Sequence, residues 1–247
     1  MESISKPPQS IVVKSQKPTT LCTEQFSLHL MYLFCTLIGY ASNMLSLPIT
    51  RIIGNKGRRY MYSETRAAQM AAFMLQLHGG RMPYLKLIKL MYLAERKALA
   101  LWGESITGDS FVAMRHGPVL SQTYDLIKTG SRYPVEKGWE YYVKDEANHE
   151  VSLARAVDDD DFADLSLAET DILENIFSEF GAKDQWQLVD YTHDGNCPEW
   201  RDPDGSSLPI RPQDIFIALT NDVNKAAKLT DRYRENLQLK EQKRKIL

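Results

Sequence analysis

Beyond residue 60, apolar positions recur at helical spacing over most of the chain. Within residues 66–77, Ala68, Met70, Ala71, Met74 and Leu77 share one side of a helix; Ser63 is placed to cap its start, and Gly79-Gly80 stops it. A second helix is expected after Pro83. Its positions Leu87, Leu90, Met91, Ala94, Ala98 and Leu101 form one broad stripe, with Lys86, Lys89, Arg96 and Lys97 off it, the pattern of a helix that turns one face to a core and the other to solvent. Gly103 ends that helix. Ile106-Thr107-Gly108-Asp109 has turn composition, and residues 111–114 read as a short strand. Gly117-Pro118 then stands at the head of a third helix that carries Val119, Leu120, Tyr124 and Ile127 as far as Gly130. Tyr141 and Val143 on one side of a polar turn, and Val151 and Leu153 on the other, predict a small hairpin beside the helices. Further helices are expected over residues 168–180, 184–191 and 213 to about 237, the last with Ile215, Leu219, Val223, Ala226 and Tyr233 in register. No repeat of 20 to 50 residues is present. The fold class is therefore mainly α (α+β), a compact helical domain with a short strand and a β-hairpin flap, over residues 61–240. Residues 241–247 form a charged tail.

Residues 1–60 are different. From Phe26 to Thr50 there are 25 residues without formal charge, 16 of them apolar, followed by Arg51, Lys56, Arg58 and Arg59. That length spans a bilayer, and the flanking cations would keep the domain beyond them on the cytoplasmic side. Ser27, His29, Asn43, Ser46 and Pro48 dilute the run. A membrane anchor, a loosely packed helix and translated upstream sequence before a start at Met61 are the three readings; the last is preferred, because Met61 immediately precedes the helix start at Ser63. No other part of the chain points to a membrane.

Charge changes the picture of the partner. Residues 1–60 carry a net +5 and residues 61–247 a net −7. A domain of that sign repels a phosphate backbone, so nucleic acid is not expected as its primary partner, and a basic polypeptide suits it better. The cysteines, Cys22, Cys35 and Cys197, are odd in number and widely spaced, which fits a reducing cytoplasm rather than a disulfide framework. Nothing in the sequence sets an oligomeric state.

The chain has no phosphate-binding Gly-x-x-x-x-Gly-Lys loop, dinucleotide turn, nucleophile elbow, zinc-protease helix or paired Cys-x-x-Cys. No cofactor and no catalytic residue is assigned. Asp190, His193, Asp194 and Cys197 have metal-like spacing, but Gly195 breaks the helix before Cys197 joins it, and His193 reads instead as a residue that meets the carbonyls of a helix end. The acidic run Asp158, Asp159, Asp160 and Asp161 lacks the ligand alternation of a calcium loop. Arg115 and His116 beside Gly117-Pro118 resemble an anion pocket at a helix N-terminus, although Pro118 removes one donor. Trp186 and Trp200 are expected to be core or half-buried packing residues.

Three blocks carry a resemblance. The first runs Leu87-Ile88-Lys89-Leu90-Met91-Tyr92-Leu93-Ala94, with Glu95-Arg96 behind it. The second runs Ile106-Thr107-Gly108-Asp109 through Met114-Arg115-His116-Gly117-Pro118-Val119 to Tyr124-Asp125. The third runs Trp186-Gln187-Leu188-Val189-Asp190-Tyr191-Thr192-His193-Asp194 through Pro198-Glu199-Trp200. In order and spacing they resemble the Panacea domain, the SocA-like antitoxin family also found in phage-associated proteins. His116 stands where that family often has a tyrosine. The resemblance implies an antitoxin that neutralises a toxin encoded beside it by direct contact. Leu87, Lys89, Tyr92, Ala94, Gly108, Gly117, Pro118, Val119, Tyr124, Trp186, His193, Pro198 and Trp200 are then scaffold, and recognition falls on variable surfaces: the turn from Asp145 to His149, the acidic run, and the exposed face of the last helix. Asp158, Asp159, Asp160 and Asp161 are expected to face a basic patch on the toxin. Two other classes stay open at this point. A winged-helix regulator would place a hairpin against helices on DNA, and an enzyme would need Arg115, His116, Asp190 and His193 to converge in a cleft.

Overall fold

A computed structural model describes residues 62–133 and 135–246. The apolar run at residues 26–50 and the start at Met61 lie outside the described residues. Among the described residues no helix is long and apolar enough to cross a membrane.

The first helix, α1 (Glu64–Leu77), starts where expected: Ser63 is extended and its side chain accepts from the Arg66 N–H. Gly79 and Gly80 end it with positive φ, and the chain enters a three-residue strand, β1 (Arg81–Pro83), that runs directly into α2 (Tyr84–Trp102). This second helix corrects the sequence reading. From Lys86 to Glu95 every residue is buried, because elements pack around α2 on all sides rather than along one stripe. Its polar residues therefore meet dedicated partners, as burial demands. Lys86 Nζ donates to the Gly181 carbonyl at 2.7 Å and to His78 Nε2 at 2.8 Å. Lys89, fully buried, donates to the Pro118 carbonyl at 2.9 Å. Glu95 takes the N–H groups of Ile106 and Thr107 and the hydroxyls of Ser105 and Thr107, which moors the turn after α2. Conversely Leu101, assigned to the stripe, is 57% exposed near the end of the helix.

A second correction concerns Gly117-Pro118. The strand at residues 111–114 is present as β2 (Phe111–Met114), but Gly117–Leu120 is a further strand, β3, paired antiparallel with it from Phe111↔Leu120 to Met114↔Gly117. The third helix, α3 (Ser121–Thr129), begins only after it. Asp109 decides where. Its carboxylate receives the N–H groups of Ser110, Gln122 and Thr123 and the Thr123 hydroxyl, capping α3 across the strand pair. Pro118 is tolerated because β3 lies at the edge of its sheet.

After α4 (Trp139–Tyr142) the expected hairpin forms from β4 (Val143–Glu146) and β5 (Glu150–Leu153), joined through Asn148 and His149 at positive φ. β1 completes its sheet, in the order β1-β5-β4. The helices α5 (Leu167–Phe180) and α6 (Gln185–His193) match expectation. A short strand, β6 (Leu208–Ile210), joins the other sheet in the order β3-β2-β6. The long final helix is two: α7 (Pro212–Thr220) and α8 (Val223–Ile246). Asn221 ends the first in the left-handed conformation, and the Asp222 carboxylate accepts from the Asn224 and Lys225 N–H groups to start the second. The described residues are thus mainly helical with two small antiparallel sheets, as the apolar pattern implied.

Candidate functional site

The three motif blocks converge on the turn between β2 and β3. Gly117 has φ +93°, and a Cβ built there would collide with Lys89 Nζ and lie 2.5 Å from Thr192 Oγ1 and 3.4 Å from His193 Nε2. Only glycine lets the strand approach α2 and α6 so closely. Thr192 donates its hydroxyl to the Val189 carbonyl, which keeps it on the inner side of α6. The His193 ring stacks on Trp200 with centroids 4.0 Å apart and planes 17° apart, and the Trp200 indole N–H donates to the Met114 carbonyl at 3.0 Å. Between Pro198 and Trp200, the Glu199 carboxylate receives the Tyr92 hydroxyl at 2.6 Å and Arg96 Nε at 2.7 Å. Tyr92 in turn packs edge-on against Phe111. One block on α2, one on the β2–β3 turn and one running out of α6 are thus sewn together by hydrogen bonds between them.

Residues 87–201 match the family model described as antitoxin SocA-like, Panacea domain. Over that stretch the chain is similar to a Panacea domain. No curated protein and no solved structure shows a significant match to the chain.

Within the matched stretch most of the motif residues are packed into the fold. Leu87, Ala94 and Val119 are core, Gly108 takes a positive φ in the turn moored by Glu95, and Tyr124 packs partly buried below Lys128. Trp186 departs from the expectation of packing: it is 54% exposed on the first turn of α6, with the ring of His116 edge-on at 5.6 Å. Glu199 was overlooked in the sequence. The signal for it was the spacing of Tyr92 and Arg96, one turn apart, which presents two donors to a single carboxylate.

The electrostatics of the corner arise from its dryness. Burial pushes the Lys89 ammonium down to about 7, opposed by the Cys197 thiol. His193 is held below the usual imidazole range by burial and then by Lys89, with His116 acting in the same direction and Asp190 and Asp202 against it. His193 Nε2 is buried and has no hydrogen-bond partner among the described residues. Burial pushes Cys197 up to about 12, so this thiol is a packing residue rather than a nucleophile. His116, Asp190 and His193 do come to one region, but the inner edge of the His193 ring faces packed atoms. Two clefts open elsewhere, one of about 520 Å3 lined by Trp102, Glu104, Tyr233 and Lys240 among others, and one of about 420 Å3 lined by Glu199, Arg201, Leu208 and Asp214 among others. Neither is lined by Lys89 or His193. Among the described residues no group of three or more His, Cys, Asp or Glu side chains is arranged to hold a metal ion.

The acidic run splits. Asp158 caps a short 3-10 turn by accepting from the Asp160 N–H, and Asp161 is buried, taking Arg155 at 2.6 Å and the Asp158 N–H. Asp159 and Asp160 remain exposed and outside any ion pair among the described residues.

Proposed function

We propose that this protein is the antitoxin of a toxin–antitoxin pair and neutralises its toxin by direct contact. The observation that carries this reading is the match of residues 87–201 to the SocA-like antitoxin domain. The packing of the motif residues supports it: Glu95, Asp109 and Glu199 are each saturated by partners from the same domain, which suits a scaffold whose work is done on its surface. A net charge of −7 over residues 61–247 suits a basic partner, and Asp159 and Asp160 are the members of the acidic run left to steer it.

The test is to express the gene encoded beside this one, with and without this protein. Growth arrest relieved by the full chain is the expected result, and relief by residues 61–247 alone places the active domain there. Absence of arrest, or arrest that this protein does not relieve, overturns the reading. Turnover of a small molecule by the purified protein, lost on His193→Ala, would instead make it an enzyme. With the partner in hand, replacing Asp159 and Asp160 together by Ser is expected to slow association and flatten its salt dependence, with little change in dissociation.

A further inference from the structure

We infer that Trp186, held by His116, is the centre of a contact surface that includes Arg115, the neighbour of His116 in the same turn, and that the partner polypeptide offers there an apolar side chain with a carboxylate beside it. This rests on the antitoxin reading for the identity of the partner, but not for the existence of the surface. Trp186 leaves more than half of its area in water, at 54% exposure. Aromatic side chains left in water at a rigid site are the commonest anchors of protein interfaces. Among the described residues its indole N–H has no hydrogen-bond partner, so the side chain offers an apolar face and an unused donor together.

The support beneath the indole is already ordered. His116 meets it edge-on with planes at 79°, and His116 itself sits in the two-residue turn joining β2 and β3. That turn is fixed on one side by the Trp200 donation to Met114 and on the other by Gly117 against Lys89 and Thr192. A partner docking here pays little in lost side-chain freedom, because the rotamers are set before it arrives. Where the family often has tyrosine, His116 supplies the same aromatic edge.

Charge selects the partner group. Arg115 is exposed and makes no ion pair or hydrogen bond among the described residues, whereas Arg96 and Arg155 are held by Glu199 and Asp161. Two of the first-turn backbone donors of α6 are already taken, since Asp184 accepts from the Trp186 and Gln187 N–H groups. An incoming carboxylate is therefore received by Arg115. On a body whose net charge is negative, this local cation fixes the register of a partner that the overall charge attracts. Exposed Asp190, one turn along α6 from Trp186, sets the opposite sign at the border of the patch.

The experiment uses the full chain as wild type, Trp186→Ala, Arg115→Glu and the control Tyr133→Ala, which alters a residue 74% exposed elsewhere. One arm measures growth rescue and affinity against the product of the adjacent gene. The other selects a random 12-residue peptide library on the immobilised wild-type protein and measures the enriched peptides by titration. Both substitutions are expected to weaken binding of the adjacent gene product by about tenfold or more and to abolish rescue, with the control unchanged. Enriched peptides are expected to pair Leu or an aromatic residue with Asp or Glu and to lose affinity on the same two substitutions. If the wild type rescues and both variants rescue and bind equally well, this surface is wrong while the antitoxin reading stands. If the wild type does not rescue, the antitoxin reading fails and the peptide arm decides: peptides that depend on Trp186 and Arg115 uphold the surface, and peptides indifferent to both overturn it. Arg115→Glu, in an exposed turn residue with no ion pair or side-chain hydrogen bond among the described residues, keeps the test valid should Trp186→Ala unfold.

Discussion

Gly117 and Lys89 together determine how tightly the motif corner closes. Gly117→Ala forces a side chain into a left-handed backbone with Lys89 Nζ directly against it, and is expected to cost about 2 kcal/mol or more, read as a lower urea midpoint at unchanged slope. Lys89 makes stability depend on pH. In the folded protein it titrates near 7, and in the unfolded chain near its ordinary value of about 10.4, so between these limits the unfolded chain binds more protons. Stability must then rise with pH across that window, by up to about 1.4 kcal/mol per unit, and the penalty is greatest below pH 7. His193, also held low, acts in the same sense at lower pH. Above about pH 9 the raised Cys197 thiol opposes the rise. Urea unfolding at pH 7 and 8.5 is expected to show the wild type gaining stability relative to Lys89→Met, and a parallel response of the two proteins would contradict a buried, neutral Lys89. Neither feature was legible in the residues around it: Gly117-Pro118 has the composition of a helix start, and Lys89 lies off the apolar stripe. What decides both is the presence of a second and third element at the same point.

At the scale of elements, local signals were reliable wherever a cap lay beside the helix it serves. Ser63 before α1, Asp184 before α6, and Asn221 with Asp222 between α7 and α8 are all readable from neighbouring residues, and the last pair was missed only because the apolar register continues through it. Signals carried across the chain were not readable. The cap of α3 is Asp109, which reaches it from beyond the β2–β3 pair. Asp109→Ala is expected to cost about 2 kcal/mol and to lower hydrogen-exchange protection in the first turn of α3 before the rest of the fold; uniform loss across all helices would argue against a local cap. Glu199 does for the segment after α6 what Asp109 does for α3. Glu199→Gln leaves Arg96 and Tyr92 without their carboxylate in a dry site, and a loss of about 3 kcal/mol in chemical unfolding is the expected result.

Over the whole molecule the four tryptophans divide by depth, and two of them separate fold from surface. Trp200, stacked on His193 and donating to Met114, holds two blocks together, whereas Trp186 stands outside the packing. Trp200→Ala is expected to lower stability by about 3 kcal/mol, and Trp186→Ala to leave it within about 0.5 kcal/mol, both by thermal and urea unfolding. A large loss from Trp186→Ala would place that residue in the scaffold. The sequence by itself determined the helical class, most helix starts and stops and the hairpin, because periodicity, caps and turn residues act between neighbours a few positions apart. It also carried the three motif blocks in order. Only the tertiary structure decided that α2 is enclosed rather than half-exposed, that residues 117–120 form a strand, and that Trp186 is left in water. Those outcomes depend on how many elements reach the same place, and burial is a property of that assembly, which no single segment's pattern of apolar and polar residues contains.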